Sequence, residues 1–163
     1  MIPLGLEPGG SVVVNGDQRR AWICSHLTCV HTLCENPHRA KRRFGSKVQI
    51  TNALLTQAEA HHIARLKTLL LRAHREGLLV LGPSKTIQVS DHLAAILVSA
   101  NGEPNTRTQL ASRFYPGRTF IFPLSSTQIG DLLARGPRSM VGIRPGRTTQ
   151  SLLDGLRMWH SVG

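Results

Sequence analysis

Apolar positions change their spacing along the chain, and the changes mark out two stretches. Near the start, Ser11 to Val14 and Arg20 to Cys24 are β-rich runs on either side of Asn15-Gly16, a pair that accepts positive φ and predicts a two-residue hairpin. Leu27 to Glu35 is compatible with a short helix, and Pro37 fits the first turn of another that Gly45 would close. Ser46 to Asn52 reads as a linker. Beyond it, Thr56 predicts the cap of a long amphipathic helix reaching about Glu76. Ala60, Ile63, Ala64, Leu66, Leu70 and Ala73 lie on its apolar face, and Gly77 ends it.

From there strands and helices alternate. Leu78 to Leu81, Leu93 to Val98, Thr119 to Phe122 and Ser139 to Ile143 predict strands. Helices are predicted after Gly82, over Thr106 to Tyr115, over Thr127 to Arg135 and over Thr148 to His160. Asn105 and either Ser125 or Ser126 supply caps, and Gly136-Pro137 supplies a stop. Such alternation means a sheet sandwiched by helices, a three-layer α/β/α arrangement. The fold class is therefore α/β with a smaller α+β unit in front, divided into residues 1–50 and 51–163.

Composition adds a partner to this picture. Across 163 residues, 20 Lys and Arg oppose 9 Asp and Glu, a formal charge of +11, and 40% of the residues are hydrophobic, enough for a core. The charge is densest in His38 to Lys47, HRAKRRFGSK, where five cations surround one aromatic and no acid intervenes. A polyanion is the expected partner, and nucleic acid is the usual one. No stretch approaches 18 uninterrupted apolar residues, so no membrane partner is expected. The opening MIPLGLEPGGS lacks the basic start and apolar length of a secretory signal, which makes the cytoplasm the expected location.

Candidate chemistry is limited to binding. Arg39, Lys41, Arg42 and Arg43 spread around the predicted second helix, with Lys47 just beyond and Arg19 and Arg20 upstream. Phe44 is read as a core anchor, with base stacking as the alternative. In the Gly82 to Thr86 loop, a glycine permits close backbone approach, a helix start offers free N–H groups, and Lys85 adds charge; Ser84 and Thr86 complete the contact set. Cys24, Cys29 and Cys34 are spaced C-x4-C-x4-C, unlike the short knuckles of closed zinc sites, and are read as buried reduced thiols, with zinc the weaker alternative. His61 and His62 follow Glu59 without an H-E-x-x-H arrangement and are read as surface residues. No P-loop, G-x-S-x-G or G-x-G-x-x-G pattern is present, and no cofactor or catalytic residue is expected.

Two resemblances extend this reading. Asp17 to Phe44, DQRRAWICSHLTCVHTLCENPHRAKRRF, resembles the "GRGAYLCPSRACLEKALKRR" motif of the YlxR-like family of small bacterial RNA-binding proteins, with Cys24 and Cys29 on its two cysteines. Arg20 stands where that motif has a glycine, and the family's earlier Cys-x-x-Cys strand has no counterpart, so the resemblance implies a two-layer unit without its first strand. Leu69 to Thr86, Leu93 to Arg113 and Ser139 to Leu156 resemble, in order, segments of the bacterial kink-turn-binding ribosomal proteins of the pelota-like superfamily. Ser84 and Lys85 occupy the place of that family's Asn-Glu. Together the resemblances imply a non-enzymatic RNA-binding protein that contacts structured or ribosomal RNA through its phosphates. The alternatives are a nucleoid-associated or transcription-regulating DNA binder, and the substrate-binding fragment of an RNA-modifying enzyme.

Overall fold

The computed structural model describes residues 1–7, 11–16, 18–24, 27–45, 47–102 and 117–160; the side chains of residues 18–20, 27 and 160 lie outside that description. Among the described residues the chain is mixed α/β, with two sheets and six α-helices. It divides into two compact units, Met1–Arg65 with Arg157–Gly163, and Leu66–Leu156.

The first sheet is built around a strand that the sequence pattern did not reveal. Ile2, Leu4 and Leu6 alternate into the core along β1 (Ile2–Leu6), although Pro3 and Gly5 between them disguise the period. β2 (Val12–Val14) and β3 (Gln18–Ile23) both pair antiparallel with β1, in the order β2-β1-β3. The predicted hairpin is thus corrected. Asn15 does adopt φ 60°, but the strands on either side of it flank β1 instead of pairing with each other. The Asn15 N–H donates to the Pro3 carbonyl at 2.9 Å. This places Gly16 against Gly5, backbone to backbone: a Cβ on Gly16 would lie 2.6 Å from the Gly5 carbonyl carbon and 2.8 Å from the Leu6 nitrogen. Only a residue without a side chain fits there.

The expected linker is also corrected. The Val12 N–H donates to the Gln49 carbonyl at 2.9 Å, Ser11 forms a parallel bridge with Gln49, and Val48 is buried. An exposed edge of β2 needs partners for its backbone groups, and this segment supplies them. Two short helices follow the sheet, α1 (Leu27–Glu35) and α2 (His38–Phe44). Val30, Ala40 and Phe44 join Ile2, Leu4 and Val12 in the core of this unit, so Phe44 is a core anchor.

Helix α3 (Ala53–Arg75) begins three residues before the expected cap. Leu54 N–H donates to Thr51 O and Leu55 N–H to Asn52 O, turns that lead the chain into the helix and leave Thr56 inside it. Its buried row is Leu54, Ala58, His62, Leu66, Leu70 and Ala73. His62 therefore occupies a core position between Ala58 and Leu66, where it is 1% exposed and stacks on Trp159 with ring centroids 5.8 Å apart. The surface reading of His62 fails because the burial row advances by four residues and passes through it.

In the second unit, β4 (Leu79–Leu81), β5 (Ala95–Ser99), β6 (Thr119–Phe122) and β7 (Met140–Ile143) form a sheet ordered β4-β7-β5-β6. β7 runs antiparallel to both neighbours, while β5 and β6 are parallel. Every residue of β5 and β7 is buried, so both faces of the sheet are covered, which explains why these strands read as unbroken apolar runs. Between strands lie α4 (Pro83–Gln88), a single 3-10 turn (Ser90–His92), and α5 (Ser126–Leu132). Ser125 and Gln128 form a reciprocal capping box at the start of α5. Thr148 precedes α6 (Thr149–His160) and donates its hydroxyl to Glu76 at 2.7 Å. The predicted helix over Thr106 to Tyr115, with Asn105 as its cap, lies outside the described residues.

Candidate nucleic-acid interface

The packing of α2 decides which way its cations point. Ala40 and Phe44, four residues apart, face the core, so the remaining positions of this two-turn helix must face outward. Arg39, Lys41, Arg42 and Arg43 are all exposed, as is Lys47 beyond the helix. They do not spread evenly, as the sequence reading had it. Arg39, Arg42 and Arg43 stand at i, i+3 and i+4 and form one stripe, whereas Lys41 falls on the opposite flank. That stripe edges an open groove of about 810 Å³, within the roughly 300–1,000 Å³ typical of ligand sites. Lys41 does not line it.

The groove is bounded by β3, α1 and α2. Leu4, Ala21, Ile23, Leu33 and Phe44 supply its apolar surface, Thr28 and Thr32 of α1 and Asn36 just beyond it supply hydroxyl and amide groups, and Trp22 of β3 and Cys24 just beyond it are exposed. Among the described residues that line it there is no carboxylate. The ion pairs among the described residues are His31–Glu35 and Arg72–Glu76, so neither Arg39 nor Arg42 is neutralised by one. The result is a concave surface with cations along one edge and apolar and hydroxyl-bearing surface opposite. It suits a ligand that carries phosphates on one side and flat apolar groups on the other. Arg19 and Arg20 belong to β3 by backbone, and their side chains lie outside the description.

The cysteines are not uniformly buried. Cys24 is exposed, Cys29 is half-buried, and Cys34 is half-buried against the core. Burial pushes the Cys29 thiol above its ordinary value and the adjacent Cys24 adds to this, while Thr28 and Arg39 act in the opposite direction. Burial likewise raises Cys34, with the charge of Glu35 adding to it. Cys24, Cys29 and Cys34 do not gather into a metal-holding group among the described residues.

A second basic surface belongs to the other unit. Gly82, at φ 95°, turns the chain from β4 into α4 and donates its N–H to the Met140 carbonyl at 3.1 Å. Ser84 and Lys85 are exposed on α4. Thr86 is fully buried and donates its hydroxyl to the Val80 carbonyl at 3.2 Å, so its place among the RNA contacts is corrected to a structural one. Antiparallel pairing of Leu79 with Ile143 and Leu81 with Val141 brings the start of α4 beside the beginning of β7, and the start of β4 beside its other end, where Arg144 donates its N–H to the Leu78 carbonyl. Lys85, Arg135, Arg138 and Arg144 line a pocket of about 380 Å³ along this strand pair, again with no carboxylate among the described residues that line it. Arg138 is braced by an Nη1 hydrogen bond to the Pro137 carbonyl at 3.1 Å. The three arginines were missed because they lie far from Lys85 in sequence. Their signal was only that Arg138 and Arg144 flank a predicted strand and Arg135 ends the helix before it.

Comparison with known proteins identifies a fold and no family. No family model matches the chain, and neither does any curated protein. Among solved structures it is similar to a protein of unknown function from Bacillus halodurans C, at 14% identity with a TM-score of 0.52, covering 58% of this chain and 98% of that one. At that identity the likeness concerns the fold alone. No helix among the described residues is long and apolar enough to cross a membrane.

Proposed function

We propose that this protein binds RNA in the cytoplasm without catalysing a reaction on it. The first unit would do so as a YlxR-like unit, and the second as a relative of the kink-turn-binding ribosomal proteins. The carrying observation is the stripe of Arg39, Arg42 and Arg43 along a groove whose described lining residues include no carboxylate. A net charge of +11 supports the same reading by drawing phosphates toward the surface from a distance. The pocket of Lys85, Arg135, Arg138 and Arg144 offers a second set of phosphate contacts. Structured or ribosomal RNA is the partner that best suits two such surfaces on one chain.

A fluorescence-anisotropy titration with a stem-loop RNA at about 50 and 200 mM salt tests this. Each phosphate contact contributes roughly 0.7–0.9 to the log–log salt slope, so Arg39→Gln with Arg42→Gln flattens it by about 1.4–1.8. The affinity lost across that salt range then shrinks by roughly 7- to 12-fold. Wild-type binding that ignores salt, or a double variant with an unchanged slope, overturns the reading. A duplex DNA of equal length serves as competitor, and preference for it would favour the DNA-binding alternative.

A further inference from the structure

We propose that Trp22 is a stacking platform for an unpaired nucleobase, so that the first unit's groove takes single-stranded RNA. The inference rests on the RNA-binding reading and specifies which form of RNA this groove accepts. Trp22 is 64% exposed, an unfavourable place for the largest apolar side chain. Its neighbours on β3, Ala21 and Ile23, are half-buried and packed against the core, whereas Trp22 itself is left open to solvent. The four large hydrophobic residues exposed among the described residues are Met1, Trp22, Ile87 and Ile121, and Trp22 is the one aromatic. It lines the same groove as Arg39, Arg42 and Arg43.

A single strand matches this surface in chemistry and in arrangement. Its bases have free faces that stack on an indole whatever their identity, and its phosphates follow at one side within reach of guanidinium groups. A duplex matches only half of it. Bases inside an A-form helix are already stacked on each other, leaving phosphates and 2′-hydroxyls for the cations and nothing for Trp22. The indole is thus the feature that separates the two forms of RNA, and the arginines are indifferent to the difference.

The test compares a 12-nucleotide oligoadenylate with an RNA duplex of equal length, using the full chain as wild type, Trp22→Ala and Trp22→Phe. Trp22→Ala is expected to weaken oligoadenylate binding about 5- to 150-fold, the range that one base–aromatic stack supplies, with Trp22→Phe recovering most of it. Duplex affinity and the salt slope stay at their wild-type values, because no charge has changed. Quenching of the fluorescence removed by Trp22→Phe would accompany oligoadenylate binding, while Trp159, packed against the core, reports on the fold. Salt-dependent RNA binding that Trp22→Ala leaves intact overturns the stacking platform and leaves the RNA-binding reading standing. Equal losses on single strand and duplex overturn it as well. Absence of salt-dependent binding to either RNA sinks both.

Discussion

The contact between Gly5 and Gly16 makes a demanding test of the first unit's architecture. In Gly16→Ala the new Cβ would stand 2.6 Å from the Gly5 carbonyl carbon, 2.8 Å from the Leu6 nitrogen and 2.9 Å from the Gly5 Cα, all backbone atoms of the central strand. Carbon atoms at rest keep about 3.5–4.0 Å, so the Asn15-Gly16 turn must lift by roughly 1 Å. A shift of that size stretches the 2.9 Å hydrogen bond from Asn15 N–H to the Pro3 carbonyl beyond bonding distance. Losing it costs about 0.5–1.5 kcal/mol, and the strain of the displaced backbone about 1–3 kcal/mol more. A total of roughly 2–4 kcal/mol is expected, felt first in β2. Hydrogen exchange at the Val12 and Val14 amides reads this directly: both bond across to neighbouring segments, to Gln49 and to the Gln57 side chain. Protection there should fall about 30- to 1,000-fold. Gly117→Ala is the control, since nothing lies within 4 Å of a Cβ at that position. Protection in Gly16→Ala within about threefold of wild type would refute the reasoning, because it would mean the two backbones are not in contact.

Two further outcomes follow from the cores and the helix ends. Phe44→Ala, which empties a site only 5% exposed, should destabilise the first unit by about 3–5 kcal/mol in urea unfolding, whereas a base-stacking Phe44 would cost little stability on removal. Glu76 accepts hydrogen bonds from the Thr148 hydroxyl, from the Thr148 N–H at 3.3 Å and from Arg72 at 3.1 Å, and those from Thr148 are the main reason its carboxyl sits below its ordinary value. A depressed carboxyl stabilises the fold above its unfolded-state value and loses that contribution as pH falls through the folded one, so Glu76→Gln should lower thermal stability most above about pH 4.5 and converge on wild type in acid, which flattens its acid limb. An acid limb identical in the two proteins would count against the Glu76–Thr148 link.

Local signals in the sequence reached as far as local physics does. β5, β6 and β7, α1 and α2 were legible because period, turn residues and caps act within a few positions. The first sheet was not, because Asn15-Gly16 specifies the backbone of a turn but not which strand will pair with β2. β1 was hidden by Pro3 and Gly5, residues that ordinarily interrupt a strand and here permit one to be approached closely. The stripe on α2 could have been found by noticing that Ala40 and Phe44 are the helix's only apolar positions at a spacing of four, which fixes the outward face. The meeting of Lys85 with Arg135, Arg138 and Arg144 could not, since it depends on the register between β4 and β7. Trp22 went unremarked because its exposure is a property of the folded strand.

The placement of Trp159 has a consequence for the order of synthesis. The first unit contains nearly all of its residues by the time Arg65 has been made, yet its cluster also includes Trp159 from the far end of α6. Until that residue emerges, His62 lacks the ring it stacks on, and the partner face of the buried row stays open to water. The cluster of the segment made first is therefore completed by a residue synthesised only after Leu66–Leu156 of the second unit.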